Sequence, residues 1–230
     1  MKEKVLVTGA SSGIGQAICK WLKNKNYEVW GIGRTFSEME EENFHPISLD
    51  LTDLKNVERV ITELRKTYDF SILIQCAGVG YYGLHEQIKS EHIAEMVTVN
   101  VTVPMIISKI MLPVLKKNKG TIIQISSYTA HEANPHGCAY GATKAALSSF
   151  GKSLFVEERK YDLKVVNIEP EMTKTNLYRN ADFDVSEEEG ACLYTEDVVS
   201  AVAYILSQPS NVCVNTITLS PQKTGIRRKK

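Results

Sequence analysis

Tyr140 and Lys144 stand four residues apart in AYGATK (139–144), ahead of the alanine-rich run AALSSFGKSLFVEE. On a helix this spacing puts a phenol and an ammonium on one face. A nearby ammonium favours the phenolate and draws the phenol pKa down from about 10. The pair then has the makings of an acid–base group. A second signal is TGASSGIG (8–15), where glycines 9, 13 and 15 follow a T-G-x-x-x-G-x-G spacing. Glycine lets the chain turn sharply and lets a pyrophosphate approach the backbone. A helix beginning near Ile14 adds free N–H groups and a positive dipole end. Tyr-x-x-x-Lys pairs are common on solvated helix surfaces, and lone glycine patterns mark ordinary turns. The surrounding elements decide between these readings.

Those elements alternate. KVLVTG (4–9) reads as a continuously apolar strand, followed by the glycine turn and an amphipathic helix with Ile14, Ile18, Trp21 and Leu22 on one face. YEVWGIG (27–33) is strand-like and HPISLDL (45–51) a weaker strand; 56–66 is helical; FSILIQCAG (70–78) is an apolar strand ending in small residues. Residues 90–117 read as a long helix interrupted at Pro104 and Pro113. Then come a strand (120–127), a helix (139–160), a strand (163–170), a helix (196–208) and a last strand (215–220). The pattern predicts an α/β fold: one Rossmann-type, doubly wound parallel sheet of about seven strands with helices on both faces. No linker or internal repeat is visible, so residues 1–230 are expected to form one nucleotide-binding domain. The polar segment 34–44 and the acidic stretch 174–195 break the rhythm, and the second has the length of a lid on the substrate side.

Composition removes several classes of function. Lys+Arg and Asp+Glu are 27 each, so bulk charge points to neither nucleic acid nor membrane. The five cysteines are widely spaced without a CxxC, which argues against a disulfide framework or zinc site and for a cytoplasmic protein with reduced thiols. No metal is expected. The basic RRKK at the C-terminus reads as a frayed tail.

Several ordered motifs, from VLVTGASSGIG to NTITLSP, resemble the short-chain dehydrogenases/reductases in their single-domain form. LDLTD (49–53) carries an Asp where the family contacts adenine, and QCAG (75–78) stands where the family usually has Asn-Asn-Ala-Gly. VNVTVP (99–104) carries the family's mid-helix Asn, IIQISS (122–127) its serine strand, and YGATK its Tyr-x-x-x-Lys. The resemblance implies a catalytic set of Asn100, Ser127, Tyr140 and Lys144. The register to Tyr140 selects Ser127 over Ser126. Tyr140 would exchange a proton with the alkoxide formed by hydride transfer, and Lys144 would support both the phenol and the nicotinamide ribose. Ser127 would donate to the substrate oxygen, and Asn100 would hold a water beside Lys144. Cofactor contacts are expected from Gly9, Ser11, Ser12, Gly13, Ile14 and Gly15. Arg34, Thr35, Asp50, Leu51, Cys76, Ala77 and Gly78 are expected to add more. Asn100, Tyr140 and Lys144 belong to this group as well. The segment NIEPEMTKT (167–175) would close over the nicotinamide through Pro170, Thr173 and Thr175.

The cofactor follows from the end of the second strand. An NAD-preferring member would place an Asp there, whereas Gly33 and Arg34 occupy the site here, with Thr35 and Ser12 as further donors. An arginine fork suits a 2′-phosphate, so NADP(H) is expected ahead of NAD(H). Two departures touch the cofactor. Cys76 replaces an Asn whose side chain braces the central strand, and Glu171 replaces a Gly beside the nicotinamide. Tyr81 and Tyr82 are either pocket-lining or solvated, and His131 and His136 read as loop residues near the substrate mouth, with a metal or general-base role as the alternative. The implied function is NADP-dependent interconversion of a carbonyl and a secondary alcohol in a small molecule, by a homodimer or homotetramer. The alternative is a catalytically weak NADP-binding regulator or scaffold on the same fold.

Overall fold

The computed structural model describes residues 2–36, 42–223 and 225–229. Part of the polar segment 34–44 therefore lies outside the described residues. The elements run β1 (Lys4–Thr8), α1 (Gly13–Asn24), β2 (Glu28–Gly33), β3 (Phe44–Ser48), α2 (Leu54–Thr67), β4 (Ile72–Gln75), α3 (Ser90–Val97) and α4 (Val103–Lys117). They continue with β5 (Thr121–Ile125), α5 (Cys138–Glu158), β6 (Lys164–Pro170), β7 (Phe183–Val185), α6 (Thr195–Leu206), β8 (Thr216–Leu219) and β9 (Ile226–Arg228). Seven strands form one parallel sheet in the order β3-β2-β1-β4-β5-β6-β8. This is the expected doubly wound arrangement, and its strand order reverses between β1 and β4.

Alternation along the strands builds two cores. Val5 and Val7 of β1 face Ile18 and Leu22 of α1 and Val198 and Val202 of α6. Leu6, between them, faces the other way, toward Ile61 of α2, Ile107 and Met111 of α4 and Leu154 of α5. Both faces are covered, which is why the strands read as unbroken apolar runs. Ser90–Lys117 is long and apolar enough to cross a membrane by length and composition. Here its apolar side is spent on the core, with Met96, Ile107, Met111 and Leu115 fully buried.

The interruption in that helical stretch is not where the prolines suggested. A π-helical turn over Thr98–Thr102 separates α3 from α4; Pro104 sits in the first turn of α4, and Pro113 is tolerated inside it. A proline there fixes φ at a helical value and has no N–H to pair in the wide turn before it. The wide turn carries Asn100.

Polar groups run through the middle of the sheet. Gln75 donates to Pro104 O (2.8 Å) and Ser108 Oγ (3.2 Å), and Gln124 donates to Gln75 Oε1 (3.0 Å). Gly151 lets α5 settle on this sheet, since a Cβ there would lie 2.3 Å from Gln124 Oε1 and 2.5 Å from Asn167 Oδ1. Thr8 Oγ1 accepts from the backbone N–H of both Cys76 and Ala77, at 3.2 Å each. The bracing expected to be lost with Cys76 is therefore supplied by Thr8 and Gln75.

One further correction concerns the C-terminal half. The weakly patterned stretch 174–195 holds a 3-10 turn over Asn176–Asn180 and the strand β7. The tail is not frayed. β9 pairs antiparallel with β7, in register Phe183↔Arg228 to Val185↔Ile226. Lys223 pairs with Glu188 (2.7 Å) and Arg227 with Glu187, while Lys229 Nζ donates to Tyr178 O at 2.6 Å. Basic tail and acidic loop, two separate features of the sequence, satisfy each other.

Candidate functional site

A cleft runs along the C-terminal ends of β1, β4, β5 and β6, at the point where strand order reverses. Its floor near β1 is the glycine turn. Gly9 and Gly13 have φ of +70° and +54°, values that L side chains adopt with strain. A Cβ on Gly15 would lie 2.2 Å from Gly9 O, so α1 can start this close to β1 only with glycine there. Ser12, the N-cap of α1, makes no side-chain capping hydrogen bond. The first N–H groups of α1 are thus left without a side-chain partner where Ser12, Gly13, Ile14 and Gly15 line the cleft. The donor set and the glycine cradle fit the pyrophosphate of a dinucleotide.

At one end of the cleft lie Ser11, Gly33, Arg34, Asp50, Leu51 and Glu95. Asp50 Oδ1 accepts from Thr52 N (2.9 Å) and Thr52 Oγ1 (2.8 Å). Those two bonds, aided by Arg34, hold its carboxyl below the usual carboxylate range. Arg34 is exposed and forms no ion pair among the described residues. Thr35 is exposed and does not line the cleft, so the structure does not bring it together with the others.

At the other end, Tyr140 (5 % exposed), Lys144 (4 %) and Ser127 (7 %) meet beside Cys76, Pro170, Glu171, Thr173 and Thr175. α5 supplies Tyr140 and Lys144 from adjacent turns, and Ser127 follows β5. Lys144 Nζ donates to Ile125 O at 2.9 Å and stands 5.7 Å from the Tyr140 ring centroid. Burial draws the Lys144 pKa down to about 8. Burial pushes the Tyr140 phenol upward, while the hydroxyls of Ser127 and Tyr82 pull it back. This reverses the direction expected from the sequence: desolvation outweighs the lysine as an influence on the phenol. The same desolvation raises the Cys76 thiol to about 12.

Ser126 and Ser127 are separated by their partners. Ser126 Oγ donates to Lys144 O (2.9 Å) and lies 2.7 Å from Ser148 Oγ, so it ties α5 to β5. Ser127 Oγ accepts from Thr129 N (3.2 Å) and Thr129 Oγ1 (3.0 Å), and its own proton remains available on the phenol side. Asn100 is fully buried. Its amide exchanges 2.9 Å bonds with Val79 N and Val79 O and donates to Thr143 Oγ1 at 3.0 Å. These bonds clamp the loop after β4 to α5, a bracing role that the sequence reading did not assign.

The structure also resolves the two open tyrosines. Tyr81 turns away: its hydroxyl donates to Glu95 Oε2 (2.6 Å), and its ring stacks on His92 at 3.8 Å. Tyr82 turns in, 5.5 Å from the Tyr140 ring, 5.9 Å from Tyr178 and 5.2 Å from Phe183. His131 Nε2 lies 2.9 Å from Glu169 Oε1, a fully buried carboxylate that also accepts from Ser148 Oγ at 2.8 Å. His136 adopts φ +62° in the exposed loop before α5. No cluster of His, Cys, Asp and Glu suited to a metal occurs among the described residues. Missed from sequence were Leu177, Tyr178 and Arg179. They sit in the predicted lid, whose lack of periodicity gave no sign of which side chains face inward.

Comparison with known proteins gives consistent matches. The family described as short chain dehydrogenase matches residues 3–185. An uncharacterized oxidoreductase of Staphylococcus epidermidis is 31% identical over 230 residues, covering 96% of this chain and 98% of that protein. Serine 3-dehydrogenase of Agrobacterium fabrum is 30% identical over 238 residues, covering 96% and 94%. Among solved structures, an alcohol dehydrogenase from the archaeon Thermococcus sibiricus, complexed with 5-hydroxy-NADP, superposes with a TM-score of 0.87. At 24% identity, covering 96% of this chain and 97% of that one, that likeness carries the fold alone.

Proposed function

The chain belongs to the short-chain dehydrogenase/reductase family, a group of NAD(P)-dependent oxidoreductases, and from that premise we propose that it is a cytoplasmic, single-domain enzyme that uses NADP(H) to interconvert a carbonyl and a secondary alcohol in a small molecule. The observation that carries the reading is the meeting of Tyr140, Lys144 and Ser127 in one cleft with an uncapped helix start. The nicotinamide supplies hydride transfer to or from carbon when it is bound.

The chain supplies everything else. Tyr140 Oη holds the proton exchanged with the substrate oxygen. Its raised pKa keeps the phenol protonated, the form that can give a proton in the reductive direction, until charge develops beside it. Ser127 Oγ, whose lone pairs are engaged by Thr129, is left to donate toward that oxygen. Lys144 is anchored through Ile125 O, which fixes its ammonium between phenol and cleft floor; a Cβ on Gly78 would lie 3.5 Å from Nζ. Asn100 holds the Val79 backbone and Thr143 so that this geometry is built before ligands arrive. Tyr82, Leu177 and Tyr178 form an apolar wall that excludes water beside the phenol.

For the adenosine end, Arg34 would hold the 2′-phosphate and Asp50 the adenine, while Gly13, Ile14 and Gly15 would hold the pyrophosphate. Arg34, where an NAD-preferring protein would carry an Asp at or next to this strand end, supports NADP(H) over NAD(H). A homodimer or homotetramer is the proposed assembly. The test is a panel of carbonyl compounds followed by NADPH absorbance, with NADH in parallel. Turnover of at least one compound with NADPH supports the reading. NADPH binding without turnover across sugars, hydroxy acids, steroids and acyl compounds would oppose it.

A further inference from the structure

Arg179 is exposed, sits in the 3-10 turn Asn176–Asn180, and lines both ends of the cleft. Toward one end it shares the lining with Gly13, Gly15 and Thr175; toward the other it shares it with Gly9, Ser12, Gly78 and Arg34. Common to both linings besides Arg179 are Gly9 and Ser12 of the glycine turn, where a dinucleotide's pyrophosphate would lie, and Ala77 and Gly78 after β4. Its guanidinium is weakly engaged, with one 3.4 Å bond from Nη1 to Asn176 O and no ion pair among the described residues. The acidic groups in the adenosine end of the lining already have partners: Asp50 takes both donors of Thr52, and Glu95 takes the Tyr81 hydroxyl. Neither Arg34 nor Arg179 is held in an ion pair among the described residues, so both guanidiniums are open to an anion.

The turn is held in place from outside the cleft. Lys229 Nζ donates to Tyr178 O (2.6 Å), Lys229 N donates to Asp182 O (2.7 Å), and β9 pairs with β7 just beyond. A cation on so anchored a segment loses little entropy when it engages a phosphate.

We propose that Arg179 binds the pyrophosphate of the nicotinamide cofactor from the loop side, opposite the N-terminus of α1, and so acts as a clamp that joins the loop to the glycine turn. This rests on the dinucleotide reading above. It separates two arginines by chemistry. Arg34 would touch a group that only NADP(H) carries. Arg179 would touch a group that both cofactors carry.

The experiment is a fluorescence titration of the full chain with NADPH and with NADH, for the wild type, Arg34→Ala, Arg179→Gln and Arg179→Lys. Arg179→Gln is expected to weaken both nucleotides by on the order of tenfold, as removal of a charge-assisted bond does. Arg179→Lys should recover part of the loss. The decline of affinity with rising salt should be shallower in Arg179→Gln than in the wild type, because one phosphate contact is gone. An unchanged melting temperature would show that the exposed site tolerates the substitution. Equal affinities for wild type and Arg179→Gln, or a loss confined to NADPH, would overturn the proposal. A wild-type chain that binds neither nucleotide would instead defeat the dinucleotide reading beneath it.

Discussion

The two ends of the cleft are built on different principles. At the adenosine end, Arg34 and Asp50 are exposed and close in sequence to the strands that carry them. At the nicotinamide end, Tyr140, Lys144, Ser127 and Asn100 are buried, and Lys144 and Asn100 depend on partners far along the chain. Exposed charges in water interact weakly and set preference. Buried ones have their proton affinities reshaped by desolvation and can set reactivity. Under the proposed function, the contrast would put selection between cofactors at one end and chemistry at the other.

Tyr140→Phe would break the contrast most sharply. It removes the proton-bearing oxygen while keeping the ring. Turnover on any active substrate should vanish, with NADPH affinity changed by no more than about twofold. Steady-state kinetics beside equilibrium titration would decide it, and near wild-type kcat would end the assignment of Tyr140.

The next effect belongs to Lys144. Its folded pKa, about 8, lies below the ordinary lysine value of 10.5. Between those values the unfolded chain holds a proton that the folded chain has released, so stability should rise with pH there. Below pH 8 the burial penalty is fully present. The raised thiols of Cys19, Cys76 and Cys213 act in the opposite sense above about pH 9, and the raised phenols of Tyr82, Tyr140 and Tyr178 above about pH 10, so the useful window closes near pH 9. Over that window the gain is on the order of 1 kcal/mol. Urea unfolding of the nucleotide-free chain should show it, and Lys144→Met should flatten the slope. The same slope in both proteins would place the titration elsewhere.

Arg34→Ala tests the other end. The wild type should prefer NADPH to NADH by at least roughly tenfold, about 1.4 kcal/mol. The substitution should remove most of that preference by weakening NADPH while leaving NADH nearly unchanged. Equal wild-type affinities would remove the distinction between the ends.

The smallest effect concerns the tail that steadies the loop. A chain ending at Lys223 loses β9 and the pairing of Arg227 and Lys229 with the loop. Hydrogen exchange over 176–190 should quicken severalfold while β1, β4 and β5 keep their protection, since surface pairs contribute modestly and locally. Unaltered exchange in the loop would mean that the 3-10 turn and β7 stand without the tail.

Local signals were legible where a short stretch of chain suffices. The parallel sheet followed from apolar runs alternating with amphipathic ones. The glycine turn followed from Gly9, Gly13 and Gly15 lying between a strand and a helix. Tyr140 and Lys144 share a face because a helix repeats every 3.6 residues. Even the family's ordered motifs are short windows of this kind. Three things were out of reach because they depend on distant partners. The π-helical turn at Thr98–Thr102 displaced the helix break from the prolines and buried Asn100 against Val79 and Thr143. The tail found the acidic loop by strand pairing across some forty residues, with opposite charges on the two segments. The direction of the Tyr140 shift was set by how much protein covers the phenol, which no spacing between residues encodes. The sequence thus determined which groups can do chemistry and roughly where each element begins. Tertiary structure decided how dry those groups are, which of them meet, and what the loop carries over the cleft, because desolvation and strand pairing are properties of packed surfaces.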